Sequence, residues 1–373
     1  MMRPFQFAGS RGARPLQRPC PPFSGALAIL LAIFLSGCVA MPTLDELRQD
    51  PSPHRLPGAP QGIVDGRPEF RNYFCASLEQ STNSETFADD CENWLLRLSD
   101  ETTGPSQTGG WKETNLQIVF VTGAFSECFG ENARPFGSAI AELSGGDYRF
   151  GTIEVGGRSG TEHNAAQIAA FLDEWSADPD TPLILVGYSK GTSDILQFLV
   201  DYPLAAERVD AVISVAGAVR GSPLADRFDS TYHLLLSHLP SGQCEKGDGD
   251  VVHSLRTDVR KEWLGSNPLP DTVRYYSLAA FTTKDRMARA LIGPWKILLD
   301  EGPRNDGQLL PEDTLIPGST LLGYFNADHW AVAVEVEADH EFLAGRHDPT
   351  PFPHKALLQA LLLQVGNDLA TRE

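Results

Sequence analysis

The chain has 373 residues, 42% hydrophobic and 21% charged, a globular composition with length for one large domain or two ordinary ones. Its 30 basic and 49 acidic residues give a net charge of −19, and without residues 1–37, which hold four arginines and no acid, 26 basic residues face 49 acidic ones, −23. So acidic a surface repels phosphate backbones and excludes nucleic acid as a partner.

The first segment reads as a processed leader. Arg3, Arg11, Arg14 and Arg18 make a basic region, and Gly25–Leu35 (GALAILLAIFL) is apolar but too short to span a bilayer comfortably. Leu35-Ser36-Gly37-Cys38 follows. This resembles a bacterial lipobox, whose cysteine is lipidated and becomes the new N-terminus. The resemblance implies a lipoprotein signal peptide over 1–37 and a membrane anchor at Cys38, held by several acyl chains. Val39, not Asp, follows the cysteine. By the same resemblance the expected location is the bacterial cell envelope, on the outer membrane rather than the inner.

Residues 38–68 carry Pro42, Pro51, Pro53, Pro57, Pro60 and Pro68 with few aromatics, and are expected to form an extended tether. Residues 69–110 are expected to be a helical segment and linker. Trp94, Leu95, Leu96 and Leu98 offer an apolar face, and "TTGPSQTGG" (102–110) is rich in breakers. Cys75, Cys91, Cys128 and Cys244 lie beyond Cys38. In an oxidising compartment an even number suggests disulfides. Of three possible pairings, Cys75–Cys91 with Cys128–Cys244 is preferred. No CxxC occurs and no histidines show metal-ligand spacing, so no structural zinc is expected.

From residue 111 to 373 strands and helices alternate. Leu116–Val121, Tyr148–Val155, Leu183–Val186, Val209–Val215, Val273–Ala280 and Thr320–Phe325 read as apolar strands. Thr161–Trp175, Ser189–Val200 and residues 353–370 read as helices, the last amphipathic. This pattern predicts an α/β fold, a mostly parallel sheet with helices on both faces. Residues 222–271 break the rhythm and are expected to be a lid-like insertion over the sheet's C-terminal edge.

The stretch "TPLILVGYSKGTSDILQFL" (181–199) passes from strand to helix through Gly187-Tyr188-Ser189-Lys190-Gly191. A serine there stands on a sharp turn with its hydroxyl clear of the sheet. Larger neighbours at 187 or 191 would collide with the adjacent strand and helix. The helix start beyond it offers unpaired N–H groups to a developing oxyanion. Ser189 is therefore the candidate nucleophile. It needs a base and a group to orient that base. His329, in "LLGYFNADHWAVA", follows the last predicted strand at the same sheet edge. Asp306, in "RNDGQLLP", is the candidate acid; Asp285 is its rival, and Asp328 adjoins His329 and is expected to point elsewhere. The Lys190 side chain is expected either near the site mouth, favouring anionic substrates, or solvated at the helix start.

From about residue 112 onward the chain resembles the α/β-hydrolases, and among them bacterial lipases and esterases. The matching stretches are "VFVTGAF" (119–125), "LVGYSKG" (185–191), "AVRGSPLAD" (218–226), "YYSLAAF" (275–281), "NDGQLLP" (305–311) and "DHW" (328–330). The family's Asn-Asp-Gly acid turn stands about twenty residues before its histidine, which favours Asp306 over Asp285. The resemblance implies Ser189 as nucleophile, His329 as base and then acid, and Asp306 as the group that fixes the imidazole. It also implies oxyanion donors at the backbone N–H of Lys190 and of Ala124, or of Phe125. Ala331 occupies the place where some relatives keep a calcium-binding Asp. No metal and no cofactor are expected. The expected activity is that of a membrane-anchored serine hydrolase cleaving acyl or lipid esters. Acyl transfer with the same three residues, peptide hydrolysis, and a non-catalytic surface lipoprotein of hydrolase fold remain alternatives.

Overall fold

Seven short strands build one sheet in which every pairing is parallel. The strands are β1 (Val64–Asp65), β2 (Leu116–Val121), β3 (Tyr148–Ile153), β4 (Leu183–Tyr188), β5 (Ala211–Val215), β6 (Arg274–Ala280) and β7 (Thr320–Phe325). Their spatial order is β1-β7-β6-β5-β4-β2-β3. The computed structural model describes residues 41–49, 51–81, 87–104, 114–127, 134–145, 147–175, 178–227, 247–335, 345–347 and 350–371. Residues 1–37, Cys38, Cys128 and Cys244 lie outside the described residues.

Side chains alternate across the strands, as a pleated backbone requires. Ile118, Phe120, Ile184, Val186 and Ile213 face one core, and Val119, Val121, Leu185 and Val212 face another. Both sets are fully buried, so helices must cover both faces. Helices α1 (Leu44–Gln49), α2 (Arg67–Ser81), α3 (Phe87–Trp94) and α4 (Gly137–Leu143) come first; α2 and α4 pack on the Ile118 face. Helices α5 (Thr161–Glu174) and α6 (Lys190–Asp201) pack on the Val119 face. The chain continues with α7 (Pro203–Ala206), α8 (Thr257–Ser266), α9 (Ile292–Leu298) and α10 (His354–Ala370).

The last helix differs from expectation. It is buried around most of its circumference, from Ala356 through Leu363, rather than amphipathic. The reason is α2, which packs against it and covers a face that would otherwise meet water.

The Pro-rich stretch also differs. Residues expected to tether the domain are packed into it from Thr43 onward. Leu47, Ser52 and Ala59 are buried, and β1 adds to the sheet edge beside β7. Arg304 and Arg67 hold this segment, and Arg71 fastens the stretch that follows α3. Arg304 donates to the carbonyls of Leu47 (2.8 Å) and Pro51 (2.6 Å). Arg67 reaches Ser52 Oγ (2.6 Å) and forks onto Asp65, both contacts at 2.7 Å. Burial opposes its charge, but the Asp65 carboxylate outweighs that and raises its pKa. Arg71 forks onto the buried Glu101 at 2.6 and 2.7 Å and donates to the Leu95 carbonyl at 2.6 Å. Proline composition signals extended backbone but not whether it is free or docked; Arg304, far along the chain, decides that.

Cys75 on α2 is bonded to Cys91 on α3, the pairing preferred from the sequence. It closes a loop with a sequence separation of 16. Removing both thiols (Cys75→Ala, Cys91→Ala) is expected to cost about 2–4 kcal/mol, read from urea unfolding; a change below about 0.5 kcal/mol would refute the constraint.

Candidate active site

The sheet topology sets the location. From β2 the chain crosses outward to β3, whereas from β4 it crosses the other way to β5. The C-terminal ends of β2 and β4 therefore flank a topological switch point, where open α/β sheets bind ligands.

Ser189 stands at that point, between β4 and α6, with φ 54° and ψ −127°. A non-glycine residue there costs on the order of 1–3 kcal/mol, and the surroundings must impose it. Its N–H donates to the Val215 carbonyl (3.2 Å), and its carbonyl accepts from Ala218 (2.9 Å) and Thr192 (3.2 Å). The Thr192 hydroxyl ties back to the Gly187 carbonyl at 2.8 Å. The two flanking glycines leave no alternative. A Cβ on Gly187 would lie 2.5 Å from Thr192 Cα, and one on Gly191 2.3 Å from the Val121 carbonyl oxygen.

His329 follows β7, and Asp306 lies between β6 and β7. Ser189 Oγ is 2.9 Å from His329 Nε2, and His329 Nδ1 is 2.7 Å from Asp306 Oδ2. His329 is 2% exposed and Asp306 fully buried, while Ser189 is half-buried at the cavity wall. Asp306 is fixed by its own turn: its Oδ1 accepts from the N–H groups of Gln308 (2.8 Å) and Leu309 (2.7 Å). Its carbonyl accepts the His329 N–H at 2.8 Å. The carboxylate, accepting the Nδ1–H, sets the ring's orientation and tautomer, and the backbone bond fixes the loop that carries it.

The rival acids are elsewhere. Asp285 is exposed on a short 3₁₀ turn, Lys284–Arg286. Asp328 turns away from the ring beside it. It accepts from the N–H groups of Ala288, Trp330 and Ala331 and from Arg346 at 2.7 and 3.0 Å. It holds the loop that carries His329. Sequence reasoning missed two further supports. The Tyr188 hydroxyl donates to the His329 carbonyl at 2.9 Å. Burial pushes this phenol well above its ordinary range, so it remains a donor at neutral pH. Ser222 Oγ donates to the Gln308 carbonyl at 2.6 Å, tying the loop after β5 to the acid turn. No spacing rule marks either residue; their roles exist only once the loops meet.

Of the backbone donors expected to face an oxyanion, Phe125 is committed. Its N–H donates to the Gly157 carbonyl at 3.1 Å, and its own φ is 61°. The Ala124 N–H has no partner among the described residues, and neither does that of Lys190. A Cβ on Gly123 would lie 3.0 Å from Ser189 Cβ, so the glycine lets the loop after β2 approach the serine.

The Lys190 side chain is neither at the mouth nor in water. It is fully buried, and Nζ lies 2.5 Å from Asp194 Oδ1 one helical turn on. Burial works against both charges, lowering the lysine pKa and raising that of the aspartate. The sequence marked a charge beside the serine; only packing turned it inward.

Beside Ser189 lies a cavity of about 250 Å³. Phe125, Leu224, Val251, Leu255, Leu309 and Trp330 give it apolar walls. No Asp, Glu, Lys or Arg is among the described residues lining the cavity. The described part of 222–271 supplies one wall; residues 228–246 lie outside the described residues. Among the described residues no group of three His, Cys, Asp or Glu is placed to hold a metal.

The crowding at Gly191 makes a specific expectation. Gly191→Ala must displace strand β2 or α6, costing about 1–3 kcal/mol in stability. The misplaced serine should lose about 10²-fold in kcat/KM. Thermal unfolding and ester turnover of the variant check both, and wild-type turnover would show that the approach tolerates a methyl group.

No protein-family model matches the chain, and no curated protein matches it. Among solved structures it is similar to the metagenomic carboxyl esterase MGS0156, at 34% identity over 82% of this chain and 93% of that one, with a TM-score of 0.75. The mature lipase BlEst2 of Bacillus licheniformis is 25% identical over 63% of this chain and 92% of its own, with a TM-score of 0.48. Identity and coverage at the level seen with MGS0156, on a sheet of this topology, show that the chain belongs to the carboxyl-esterase family of α/β-hydrolase fold and is an ester hydrolase.

Proposed function

We propose that the protein hydrolyses carboxylic esters through an acyl-enzyme formed on Ser189. The observation that carries this reading is the imidazole of His329, hydrogen-bonded at once to Ser189 Oγ (2.9 Å) and Asp306 Oδ2 (2.7 Å). Ser189 Oγ attacks the ester carbonyl carbon as its proton passes to His329 Nε2. The resulting oxyanion accepts hydrogen bonds from the N–H groups of Lys190 and Ala124. Asp306 stabilises the imidazolium without taking its proton. The imidazolium gives that proton to the departing alkoxide as the carbon–oxygen bond breaks. A water molecule, giving up a proton to His329, then attacks the acyl carbon. The second collapse returns the proton to Ser189 and releases the carboxylic acid.

The cavity narrows the substrate. Ligand pockets for drug-sized molecules run from about 300 to 1,000 Å³, above the ~250 Å³ here. Apolar walls without Asp, Glu, Lys or Arg suit an uncharged, short acyl chain. Ser189→Ala should lose labelling by a fluorophosphonate probe and essentially all turnover. Asp306→Asn should lower kcat about 10³–10⁴-fold with the fold intact. A chain-length series should fall off beyond short acyl groups. Undiminished turnover in Ser189→Ala would end the acyl-enzyme account, and a preference for long chains would end the size argument.

We also propose that the enzyme is held at a membrane by lipid on Cys38. The basic residues, the apolar run and Leu35-Ser36-Gly37-Cys38 support this. Among the described residues no helix is long and apolar enough to cross a membrane. Cys38→Ser should abolish incorporation of labelled fatty acid and move the esterase out of the membrane fraction. Retention of both label and fractionation in that variant would rule out Cys38 as the anchor.

A further inference from the structure

The two expected oxyanion donors lie on different parts of the chain, Ala124 after β2 and Lys190 at the start of α6. A continuous path of polar contacts, buried at its Lys190 end and part-buried near Gly156, connects the two loops. Lys190 Nζ donates to Asp194 Oδ1 at 2.5 Å. Asp194 Oδ2 accepts from Asn164 Nδ2 on α5 at 2.8 Å. The same amide nitrogen donates to the Gly156 carbonyl at 3.2 Å. The next carbonyl, that of Gly157, accepts the Phe125 N–H at 3.1 Å, one residue beyond Ala124. A Cβ on Gly157 would stand 2.7 Å from the Phe125 nitrogen, so the two loops touch with no room for a side chain. The Gly156 N–H is also held, by Gln167 Oε1 at 2.8 Å.

We propose that the Lys190 side chain, Asp194 and Asn164 are positioning residues that set the spacing of the two oxyanion donors. This rests on the acyl-enzyme reading above. Lys190, Asp194 and Asn164 are fully buried. Removing such an ion pair from water costs several kcal/mol per ion, and apolar side chains of similar volume often serve stability as well or better. The pair is therefore poorly explained as a stabiliser. What it provides is direction. An ammonium and a carboxylate at hydrogen-bond distance, with an amide on the second oxygen, leave little freedom in angle or length. Leucines in the same volume would fill it but not fix the loop after β2 against the first turn of α6. Oxyanion stabilisation depends on donors placed before the charge develops, and an error near 1 Å costs about 10²-fold.

The test uses the full-length enzyme and two variants. Lys190→Met with Asp194→Leu replaces the pair by apolar groups and keeps the Lys190-position N–H. Asn164→Leu leaves the pair and cuts its link to Gly156. In each, kcat should fall about 10- to 100-fold with KM within twofold and the melting temperature little changed. Affinity for a boronic acid, which forms a tetrahedral adduct on the serine, should fall by the same factor as kcat. A merely structural role would lower the melting temperature and leave kcat and boronate affinity of the folded fraction unchanged. Either variant folding with wild-type kcat overturns the proposal, as does a loss confined to KM. Should the paired variant fail to fold, Asn164→Leu decides alone. Ser189→Ala run in parallel separates the two readings: activity without Ser189 defeats the acyl-enzyme itself, whereas a dead Ser189→Ala beside fully active network variants defeats only the positioning role.

Discussion

The backbone of Ser189 is held where an ordinary residue resists going, and most of the site follows from how that is achieved. A φ of 54° lifts the hydroxyl off the end of β4 and aims it at His329. The same turn leaves the Lys190 N–H, at the first turn of a helix, without a partner among the described residues. Holding the conformation takes hydrogen bonds from β5 and the loop after it, through Val215 and Ala218. It also takes two glycines that let α6 and β2 close to within backbone contact. The cost of the turn is met by the sheet around it, and so a rigid parallel sheet buried on both faces matters to the chemistry.

Three loops then have to meet one serine. Each is fixed by side chains with no part in the reaction. Asp328 and Arg346 shape the turn that presents His329, and the Tyr188 hydroxyl fastens that turn to the strand bearing the serine. Asp306 is held by two N–H groups of its own turn, and Ser222 joins that turn to the loop after β5. At the other end of the structure, buried arginines do comparable work. Arg67 and Arg304 hold the stretch around Leu47 and Ser52, and Arg71 holds the stretch after α3. Such groups specify one arrangement among many that hydrophobic burial alone would accept.

Much of the fold was legible because its signals are local. Strand β7 was expected at Thr320–Phe325 and is found there, and Leu116–Val121 likewise, since continuous apolar runs between breakers have few other uses in an α/β chain. The glycines around Ser189 could be read as a steric requirement, and the structure places their absent Cβ atoms on β2 and α6. Departures arise where the outcome depends on what packs over a residue. Six prolines give no hint that this stretch is docked, because Arg304, from far along the chain, binds the carbonyls of Leu47 and Pro51. A helix rich in leucine on every side was read as amphipathic because α2, which covers it, belongs to a segment read as separate. A lysine beside Ser189 reads as a charge at the site mouth or in solvent, whereas tertiary packing buries the helix start and leaves Lys190 paired with Asp194 one turn on.

The sequence by itself determined the alternation of strands and helices, the turn on which Ser189 stands, and the choice of His329 and Asp306 as candidates, since these rest on residue type and order along the chain. Tertiary structure alone decided that the imidazole lies within 2.9 Å of the hydroxyl, that the Phe125 N–H is paired while that of Ala124 has no partner among the described residues, and that Lys190 points into the core. The physical reason is that backbone preference and hydrophobic period act over a few residues. Hydrogen bonds between loops and ion pairs in the interior depend on distances that exist only after the chain has closed on itself.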